Sequence, residues 1–224
     1  MTETIIVVGA GGHAKVVVAI LQSVGRGPLL VFDDDSEKWG RKLLGVPILG
    51  SIGSIANATD EIPEAAIIAV GDNRLRANLV TRLELSWTTA VHPSAMVHPS
   101  VSIGPGSVVC AGAIIQPGTR IGRHVIVNSA ASIDHDCELG DFVHIAPGAR
   151  VAGGVHIGAG TLVGIGSAIV PEVAVGEWAT VGAGASTVSS KASVDSVPTA
   201  VVSAGPTPTP TDHTRSSDPS SIAS

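Results

Sequence analysis

The chain has 224 residues, of which 44% are hydrophobic and only 2% aromatic, and its formal net charge is -6. This length suits one large domain or two small ones, and the absence of tyrosine means that the core consists mainly of Val, Ile, Leu and Ala. Because neither Lys nor Arg forms a run in this acidic chain, the composition excludes a basic surface for nucleic acid or an anionic membrane.

A strand, a glycine turn and a helix are predicted at the start of the chain. Residues 5–8 form a continuous apolar run that suits a buried parallel strand, and residues 16–24 have the apolar periodicity of a helix. Between them lies GAGGHAK at residues 9–15, whose GxGxxA pattern is typical of NAD binding or of close strand-to-helix packing. Only about ninety residues precede the repeat described below, which favours a Rossmann-like mononucleotide-binding half over a complete dinucleotide domain.

Polar residues follow the other predicted strands of this region. A second strand at residues 29–32 ends at Asp33 and Asp34, and a third at residues 65–70 ends at Gly71. In a parallel α/β sheet, ligands bind at the carboxyl ends of the strands, where a helix amino terminus faces a phosphate group. We therefore expect a nucleotide-linked substrate at this edge.

A six-residue repeat fills most of the second half of the chain. Sixteen consecutive hexads carry an aliphatic residue at the same position: Val91, Val97, Ile103, Val109, Ile115, Ile121, Val127, Ile133, Leu139, Ile145, Val151, Ile157, Val163, Ile169, Val175 and Val181. A period of six fits neither a helix nor a hairpin array. It fits an all-β left-handed parallel β-helix, in which three short strands complete one coil and the aliphatic residues point inward.

This β-helix leaves few places for a pocket. A solenoid of this kind can be merely a rigid scaffold, because fold alone does not establish function. Chemistry is therefore expected where polar residues interrupt the repeat or where neighbouring protomers meet.

One polar segment, residues 128–138, interrupts the repeat. It places His135 between Asp134 and Asp136, and His144 follows nine residues after His135. A neighbouring carboxylate orients a histidine ring and raises its pKa, so His135 is a candidate general base; an exposed histidine with acidic neighbours is the alternative. Counting by hexads puts His135 and His144 on adjacent faces, which predicts that they meet across a subunit boundary.

A catalytic metal is not expected. The γ-class carbonic anhydrases, which also contain hexapeptide β-helices, bind zinc through three histidines from two subunits. In this chain the successive spacings from His124 through His135, His144 and His156 are eleven, nine and twelve residues. No pair has the ligand spacing of those enzymes, so the sequence predicts no metal site.

Four short motifs occur along the chain, in this order: GAGGHAK at residues 9–15, GDNRLR at 71–76, HPSA at 92–95 and DHDC at 134–137. Together they resemble the motifs of the bacterial nucleotide-amino-sugar acetyltransferases, over residues 4–199. That family includes UDP-4-amino-sugar N-acetyltransferases of bacillosamine synthesis, GDP-perosamine N-acetyltransferases and relatives named as sialic acid O-acetyltransferases. The resemblance implies acetyl-CoA as co-substrate, a nucleotide-linked amino sugar as acceptor, and a homotrimer with active sites between protomers.

The resemblance also implies roles for individual residues. His135 takes the place of the proposed base, and Asp136 that of the acidic residue that increases its basicity. The positions implied for acetyl-CoA are Asn128, His144, Gly153, Gly164, Ile165, Gly182 and Ala183, the last of which replaces a glycine found in some members. The positions implied for the nucleotide sugar are Gly11, Gly12, His13, Asp33, Asp34 and Gly71.

The carboxyl terminus departs from the family pattern. Many members end in a GVPAK-like segment that helps to cover CoA, whereas this chain reads SVPTA at residues 196–200. Pro, Ser, Thr and Asp dominate residues 203–224, which predicts a disordered tail after a β-helix domain at residues 91–199. The start of the chain lacks the features of a signal peptide, no segment approaches a membrane span, and Cys110 and Cys137 form no CxxC motif. We therefore expect free thiols in a cytoplasmic protein.

These expectations combine into one predicted reaction. Residues 1–90 are expected to bind the nucleotide-linked sugar, whose 4-amino group attacks the carbonyl of acetyl-CoA while His135 removes a proton. Two alternatives stay open: O-acetylation of a sugar or sialic acid, and a non-catalytic hexapeptide-repeat binding module. Asp33 and Asp34 do not distinguish UDP from GDP, although the GDNRLR and HPSA motifs are nearer to those of the perosamine enzymes.

Overall fold

The computed structural model describes residues 4–57 and 65–187, which form an α/β domain followed by a solenoid of parallel strands. The SVPTA segment and the predicted tail at residues 203–224 lie outside these ranges, as does the end of the β-helix domain predicted to reach residue 199. Among the described helices, none combines the length and apolar character that crossing a membrane requires.

In its described residues, the α/β domain contains five strands and two α-helices. Its elements in chain order are β1 (Ile5–Val8), α1 (Gly12–Ser23), β2 (Leu29–Phe32), a 3₁₀ helix (Ser36–Lys38), β3 (Lys42–Leu43), β4 (Val46–Gly50), a second 3₁₀ helix (Ile52–Asn57), β5 (Ala65–Ile68) and α2 (Asn73–Arg82). The strands form one sheet in the order β3-β4-β2-β1-β5, in which only β3 is antiparallel to its neighbour. Both β1 and β5 are buried throughout, as their continuous apolar runs predict.

Helix α1 begins at Gly12, four residues before its predicted start. The prediction counted apolar residues only, and the first turn consists of residues that carry no apolar signal although they adopt helical geometry. As a result, the glycine turn and the amino terminus of α1 form one continuous structure. No side chain caps this helix, whose N-cap residue is Gly11.

The carboxyl ends of three strands lie at one edge of the sheet. Val8 at the end of β1 is level with Phe32 at the end of β2 and with Ile68 at the end of β5. The glycine turn, the loop after Phe32 and the loop before α2 therefore meet at this edge, as predicted for a parallel sheet.

The β-helix has three faces, each a sheet of two-residue strands. The first sheet contains β6 (Ala90–Val91), β9 (Val108–Val109), β12 (Ile126–Val127), β15 (His144–Ile145), β18 (Leu162–Val163) and β21 (Thr180–Val181). The second contains β7 (Met96–Val97), β10 (Ile114–Ile115), β13 (Ser132–Ile133), β16 (Arg150–Val151) and β19 (Ala168–Ile169). The third contains β8 (Ser102–Ile103), β11 (Arg120–Ile121), β14 (Glu138–Leu139), β17 (His156–Ile157) and β20 (Ala174–Val175).

Every one of these strands ends on the aliphatic residue of its hexad. These residues form one cluster along the axis, in which all are buried except Val91, Val97 and Ile103 of the first coil, which are partly buried. Neighbouring strands are parallel and pair residues eighteen positions apart, for example Ile115 with Ile133. The predicted coil of three hexads and the predicted fold class are therefore confirmed.

A left-handed residue occupies every corner from residue 106 to residue 184, one in each hexad, with φ between 53° and 78°. Glycine, which adopts this conformation without strain, fills eight of these corners. Larger residues also occur, and four of them lie over a glycine of the preceding coil: His124 over Gly106, Asp136 over Gly118, Glu172 over Gly154 and Trp178 over Gly160. A glycine eighteen positions earlier thus makes room for a large corner side chain.

The two domains share a core. Ala90, Val108 and Cys110, from the base of the first sheet, belong to the same apolar cluster as the buried side of α1. Arg26 donates a hydrogen bond from Nη1 to the carbonyl of Thr89 at 3.1 Å. The first sheet therefore packs against the α/β domain, while the corner between the second and third sheets contains His135 and lies away from this junction.

Candidate active site

The corner between β13 and β14 holds the His135–Asp136 pair. Asp136 has a φ of 57°, and its Oδ2 lies 2.9 Å from Nδ1 of His135. Asp134, on the other side, accepts a hydrogen bond at Oδ1 from the backbone N–H of His135 at 2.8 Å. The left-handed corner therefore folds two chain neighbours into a side-chain pair, with a second carboxylate close by.

This geometry fixes the tautomer of His135. A carboxylate only accepts hydrogen bonds, so the proton of the neutral ring lies on Nδ1 and the lone pair on Nε2. The hydrogen bond to Asp136 and the negative charge of Asp134 raise the pKa of His135 above its usual value. Both members of the pair are exposed, with 60% of the His135 side chain accessible.

Two glycines create the space that this pair occupies. A methyl group on Gly153, in the next coil, would lie 2.7 Å from Nε2 of His135. A methyl group on Gly118, in the preceding coil, would collide with Oδ1 of Asp136. Gly153 was predicted as a position for acetyl-CoA, and the structure places it against the candidate base.

A shallow groove of about 570 Å³ runs along the second sheet beside this corner. Its lining includes polar and apolar side chains from four neighbouring coils, among them Gln116, Ser132, Asp134, Arg150 and Val170. The volume lies within the range of small-molecule sites, but in a single chain the groove is open to solvent. None of the positions predicted for acetyl-CoA lines it, although Ala152, the neighbour of Gly153, does.

His144 has different surroundings. It lies in β15 on the first sheet, where its Nδ1 is 3.3 Å from the carbonyl oxygen of Gly71 and its Nε2 is 3.2 Å from Nδ2 of Asn128. A carbonyl only accepts, so Nδ1 carries the proton and Nε2 accepts from the amide of Asn128. Burial and, secondarily, the positive charge of Arg76 lower the pKa of His144 to about 4, so it is neutral at neutral pH.

His13 approaches the same junction from the first turn of α1. Burial, followed by the influence of His144 and then Arg76, lowers the pKa of His13 to about 4. Its Nε2 is buried and has no hydrogen-bond partner among the described residues. The structure thus brings together His13, Gly71, Asn128 and His144, four residues that the sequence assigned separately to sugar and acetyl-CoA.

The edge of the α/β sheet contains the other predicted sugar-binding residues. The carboxylate of Asp33 already has three hydrogen-bond donors within the protein. It accepts hydrogen bonds from Ala10 N at 2.6 Å, Asp35 N at 2.9 Å and Lys38 Nζ at 3.1 Å. Although partial burial opposes the effect, these hydrogen bonds lower the pKa of Asp33. Asp34 is exposed and accepts from the backbone N–H of Ile52 at 2.9 Å, which leaves its other oxygen available.

Space in front of α1 is open. A methyl group on Gly11 or Gly12 would contact nothing within 4 Å, and the helix has no acidic residue in its first turn. The orphan backbone N–H groups of a helix amino terminus favour an anion there. Gly11, Gly12 and Asp34 therefore retain free polar groups for substrate contact, whereas the carboxylate of Asp33 already accepts three hydrogen bonds within the protein.

The remaining positions predicted for acetyl-CoA lie in the last described coils. A methyl group on Gly164 would lie 2.6 Å from the backbone nitrogen of Ala183, so stacking of the coils already requires a glycine there. Ile165 projects from its corner with 61% of its surface exposed. Gly182 and Ala183 follow β21 and are partly or fully exposed. No hydrogen bond joins these four residues to the His135 corner in the described part of the chain.

Arg76 is a residue of this region to which the sequence assigned no role. It belongs to the GDNRLR motif, and its guanidinium is completely buried between the domains. The only sequence signal was its place in the motif, because an arginine in a polar helix is usually exposed.

The chain is similar to known proteins in both of its domains. The family model for the PglD N-terminal domain matches residues 4–83. A histidine-to-asparagine mutant of perosamine N-acetyltransferase from Caulobacter crescentus, in complex with CoA and GDP-perosamine, matches with a TM-score of 0.78 and 35% identity, covering 84% of this chain and 90% of that chain. The chain belongs to the nucleotide-amino-sugar N-acetyltransferase family.

Two other members of the family show the range of its similarity. The acetyltransferase domain of PglB from Neisseria gonorrhoeae FA1090, in complex with acetyl coenzyme A, has a TM-score of 0.76 and 37% identity, covering 82% of this chain and 90% of that chain. The UDP-N-acetylbacillosamine N-acetyltransferase of Bacillus subtilis (strain 168) is 35% identical over 116 residues, which are 49% of this chain. This match covers 52% of the length of the Bacillus subtilis protein. The match to GDP-perosamine N-acetyltransferase of Escherichia coli O157:H7 covers 66% of the length of that protein.

No group of three or more metal-ligating side chains occurs within residues 4–57 and 65–187.

Proposed function

We propose that this protein transfers the acetyl group of acetyl-CoA to the 4-amino group of a UDP- or GDP-linked deoxy amino sugar for surface glycan synthesis. The observation that carries the proposal is the His135–Asp136 pair, in which a 2.9 Å contact leaves a lone pair on Nε2 at an exposed corner beside a groove. Membership of the family, whose structures include complexes with CoA, GDP-perosamine and acetyl coenzyme A, supports the acceptor and donor classes.

The proposed reaction uses His135 twice. The sugar amine attacks the thioester carbonyl carbon, and Nε2 of His135 takes a proton from the nitrogen as the new C–N bond forms. The intermediate then breaks its C–S bond, and the departing CoA sulfur receives that proton. Asp136 holds the ring in the required tautomer and stabilises the imidazolium that exists between the two steps.

The two substrates are proposed to bind to different domains. Residues 1–90 would bind the nucleotide sugar through the amino terminus of α1, with Gly11, Gly12 and His13 on the phosphate side. Asp33 and Asp34 would lie on the base or ribose side of the nucleotide, and Gly71 would lie in the loop between β5 and α2. Residues 91–199 would bind acetyl-CoA at the seven positions implied by the family resemblance, with His144 near the thioester.

We also propose a homotrimer with active sites between protomers. His135 lies at the corner between the second and third sheets, whereas His144 lies in the first sheet against the α/β domain. A reaction that uses both histidines therefore needs residues from two chains. The open groove on the second sheet is the surface that a neighbouring protomer would cover. A cytoplasmic location agrees with the use of acetyl-CoA and nucleotide sugars.

The test is a panel of UDP- and GDP-linked 4-amino sugars with acetyl-CoA, in which release of the free CoA thiol is followed. We expect turnover with at least one amine and none with its 4-hydroxy counterpart. Turnover only with the hydroxyl compounds would replace N-acetylation by O-acetylation. Binding of acetyl-CoA without turnover on any acceptor would contradict the enzyme assignment and favour a binding module.

A further inference from the structure

Arg76 is a buried cation held by neutral oxygens from both domains. Its Nε donates to the carbonyl of His124 at 2.8 Å, and Nη2 donates to the carbonyl of Phe142 at 2.8 Å. Nη2 also donates to Oδ1 of Asn73 at 2.8 Å, and Nη1 donates to the carbonyls of Val70 at 3.0 Å and Gly71 at 3.2 Å. These five contacts match the five N–H donors of a guanidinium.

The contacts join three loops that converge on the proposed site. His124 and Phe142 are successive corners of the β-helix, stacked ring on ring with centroids 5.5 Å apart. Val70 and Gly71 belong to the loop between β5 and α2. Because lysine has a single nitrogen with no planar fork, it cannot reproduce this set of contacts.

One of these contacts leads directly to His144. The carbonyl of Gly71 accepts from both Nη1 of Arg76 and Nδ1 of His144. Arg76 thus holds the group that orients the His144 ring, and Asn128 holds the opposite nitrogen. Among the described residues, the hydrogen bonds of the Arg76 guanidinium include none to the side chain of His13 in α1 or of His144 in β15.

The charge of Arg76 acts on the same histidines. None of its hydrogen-bond partners among the described residues is a carboxylate, and the acid that favours its charge is Asp72, just before α2. Burial lowers the pKa of Arg76 to about 10, so it is still charged at neutral pH. A buried cation opposes a second positive charge nearby, and this effect lowers the pKa of both His13 and His144.

We propose that Arg76 is a positioning residue for acetyl transfer, which fixes the Gly71 carbonyl and thereby keeps the His144 ring in one orientation with its proton on Nδ1. This role rests on the proposed function, and it is separate from the role of His135. The alternative is that Arg76 only holds the two domains together. In that case its replacement would lower stability but would have no specific effect on the protonation of His144.

The test compares Arg76→Gln, which removes the charge, with Arg76→Lys, which keeps it without the fork. Arg74→Gln is the control, because Arg74 is an exposed neighbour that lies over the ring of Trp178 at 4.8 Å. Imidazole ¹⁵N resonances report the tautomer and titration of His144, and kcat and KM are measured from pH 5 to pH 9.

In Arg76→Gln, we expect His144 to titrate at higher pH than in the wild type and kcat to fall by about tenfold or more, with the KM for acetyl-CoA within about threefold. In Arg76→Lys, His144 should titrate close to the wild type because the charge remains. Its ¹⁵N resonances should nevertheless show a mixture of the two tautomers, and kcat should still fall, because the Gly71 carbonyl is no longer fixed. Arg74→Gln should match the wild type in both measurements.

Unchanged His144 resonances and unchanged kcat in folded Arg76→Lys would overturn the proposal, and so would a lower kcat with no change in the tautomer or titration of His144 in either variant. If Arg76→Gln does not fold, Arg76→Lys decides alone. The resonances also separate this inference from the proposed function. A wild-type protein without acetyl transfer would contradict the latter, whereas the response of His144 to Arg76 would still be measurable.

Discussion

The His135 corner and the His144 junction place the same side chain in opposite environments. His135 is exposed beside two carboxylates, which raise its pKa, whereas His144 is enclosed between two domains near a buried arginine, and its pKa is about 4. Both rings carry a proton on Nδ1, but the partner of that proton is a carboxylate in one case and a carbonyl in the other.

This difference indicates a division of labour. A carboxylate stabilises the imidazolium that forms when His135 accepts a proton, so the corner suits a base. A neutral carbonyl and a nearby cation do not stabilise an imidazolium. The junction therefore suits a histidine that stays neutral and makes fixed hydrogen bonds.

The largest effect is expected when the base is removed. His135→Asn should lower kcat/KM by about 10²- to 10⁴-fold, because the proton of the attacking amine loses its acceptor. Steady-state thiol release measures the effect. The matched control is His156→Asn, since His156 is also an exposed solenoid histidine paired with a carboxylate, Glu138, at 2.8 Å. A value for His135→Asn within about threefold of the control at pH 6 to 9 would remove the base role.

The next effect concerns the space around the base. Gly153→Ala should lower kcat/KM by roughly 10- to 100-fold, because the added methyl group would lie 2.7 Å from Nε2 of His135 and displace the ring. Gly153 is not a left-handed residue, so alanine imposes no backbone strain. Gly53→Ala is the control, where the methyl group would be 3.9 Å from the nearest atom outside the neighbouring residues. Equal rates for the two variants would show that the position of the ring is unimportant.

A smaller effect is expected from the carboxylate. Asp136→Asn should lower kcat/KM at neutral pH by about tenfold, because an amide orients the ring less strictly and gives no charge stabilisation. The pKa of His135 should fall, so the acid limb of the pH profile should move to lower pH than in the wild type. Asp136→Glu should restore part of the rate. An acid limb that stays in place would mean that another group controls it.

The smallest effect concerns stability and the buried histidines. His124 has a pKa of about 4, lowered first by burial and then by Arg76 and Arg123. As the pH falls below about 6.5, the unfolded chain takes up the proton first, so each such histidine reduces the free energy of unfolding by about 1.4 kcal/mol per pH unit until pH 4.

His124→Phe should therefore lessen the loss of stability between pH 6 and pH 5 by about 1 kcal/mol. Urea unfolding at the two pH values measures the loss. His98→Gln, at an exposed histidine of the first coil, is the control and should leave it unchanged. The same pH dependence in His124→Phe and the wild type would contradict burial of a neutral ring at this corner.

Much of the fold follows from local sequence. The β-helix is predictable because its period is fixed by stacking, so every hexad repeats the same requirement for an inward aliphatic residue. The start of α1 is not, since glycine and His13 at its first turn give no apolar signal. The His135–Asp136 pair is predictable because its members are adjacent in the chain.

The environment of His144 depends on distant contacts. Its hydrogen-bond partner Gly71 is seventy-three positions away, and Arg76 acts through the docking of two domains. The sequence contained each residue, but only the packed structure shows that they meet. The glycines around His135 are an intermediate case, because a glycine eighteen positions from a large corner residue is a pattern that can be searched for.

The most direct test of the two environments is a pH titration of the imidazole signals of His135 and His144 in the wild-type protein, assigned through the single variants His135→Asn and His144→Asn. We predict that His135 titrates above the usual histidine value of about 6.5, while His144 stays neutral to about pH 4 with its proton on Nδ1. Parallel titration of both rings near pH 6.5, or the reverse order, would contradict it.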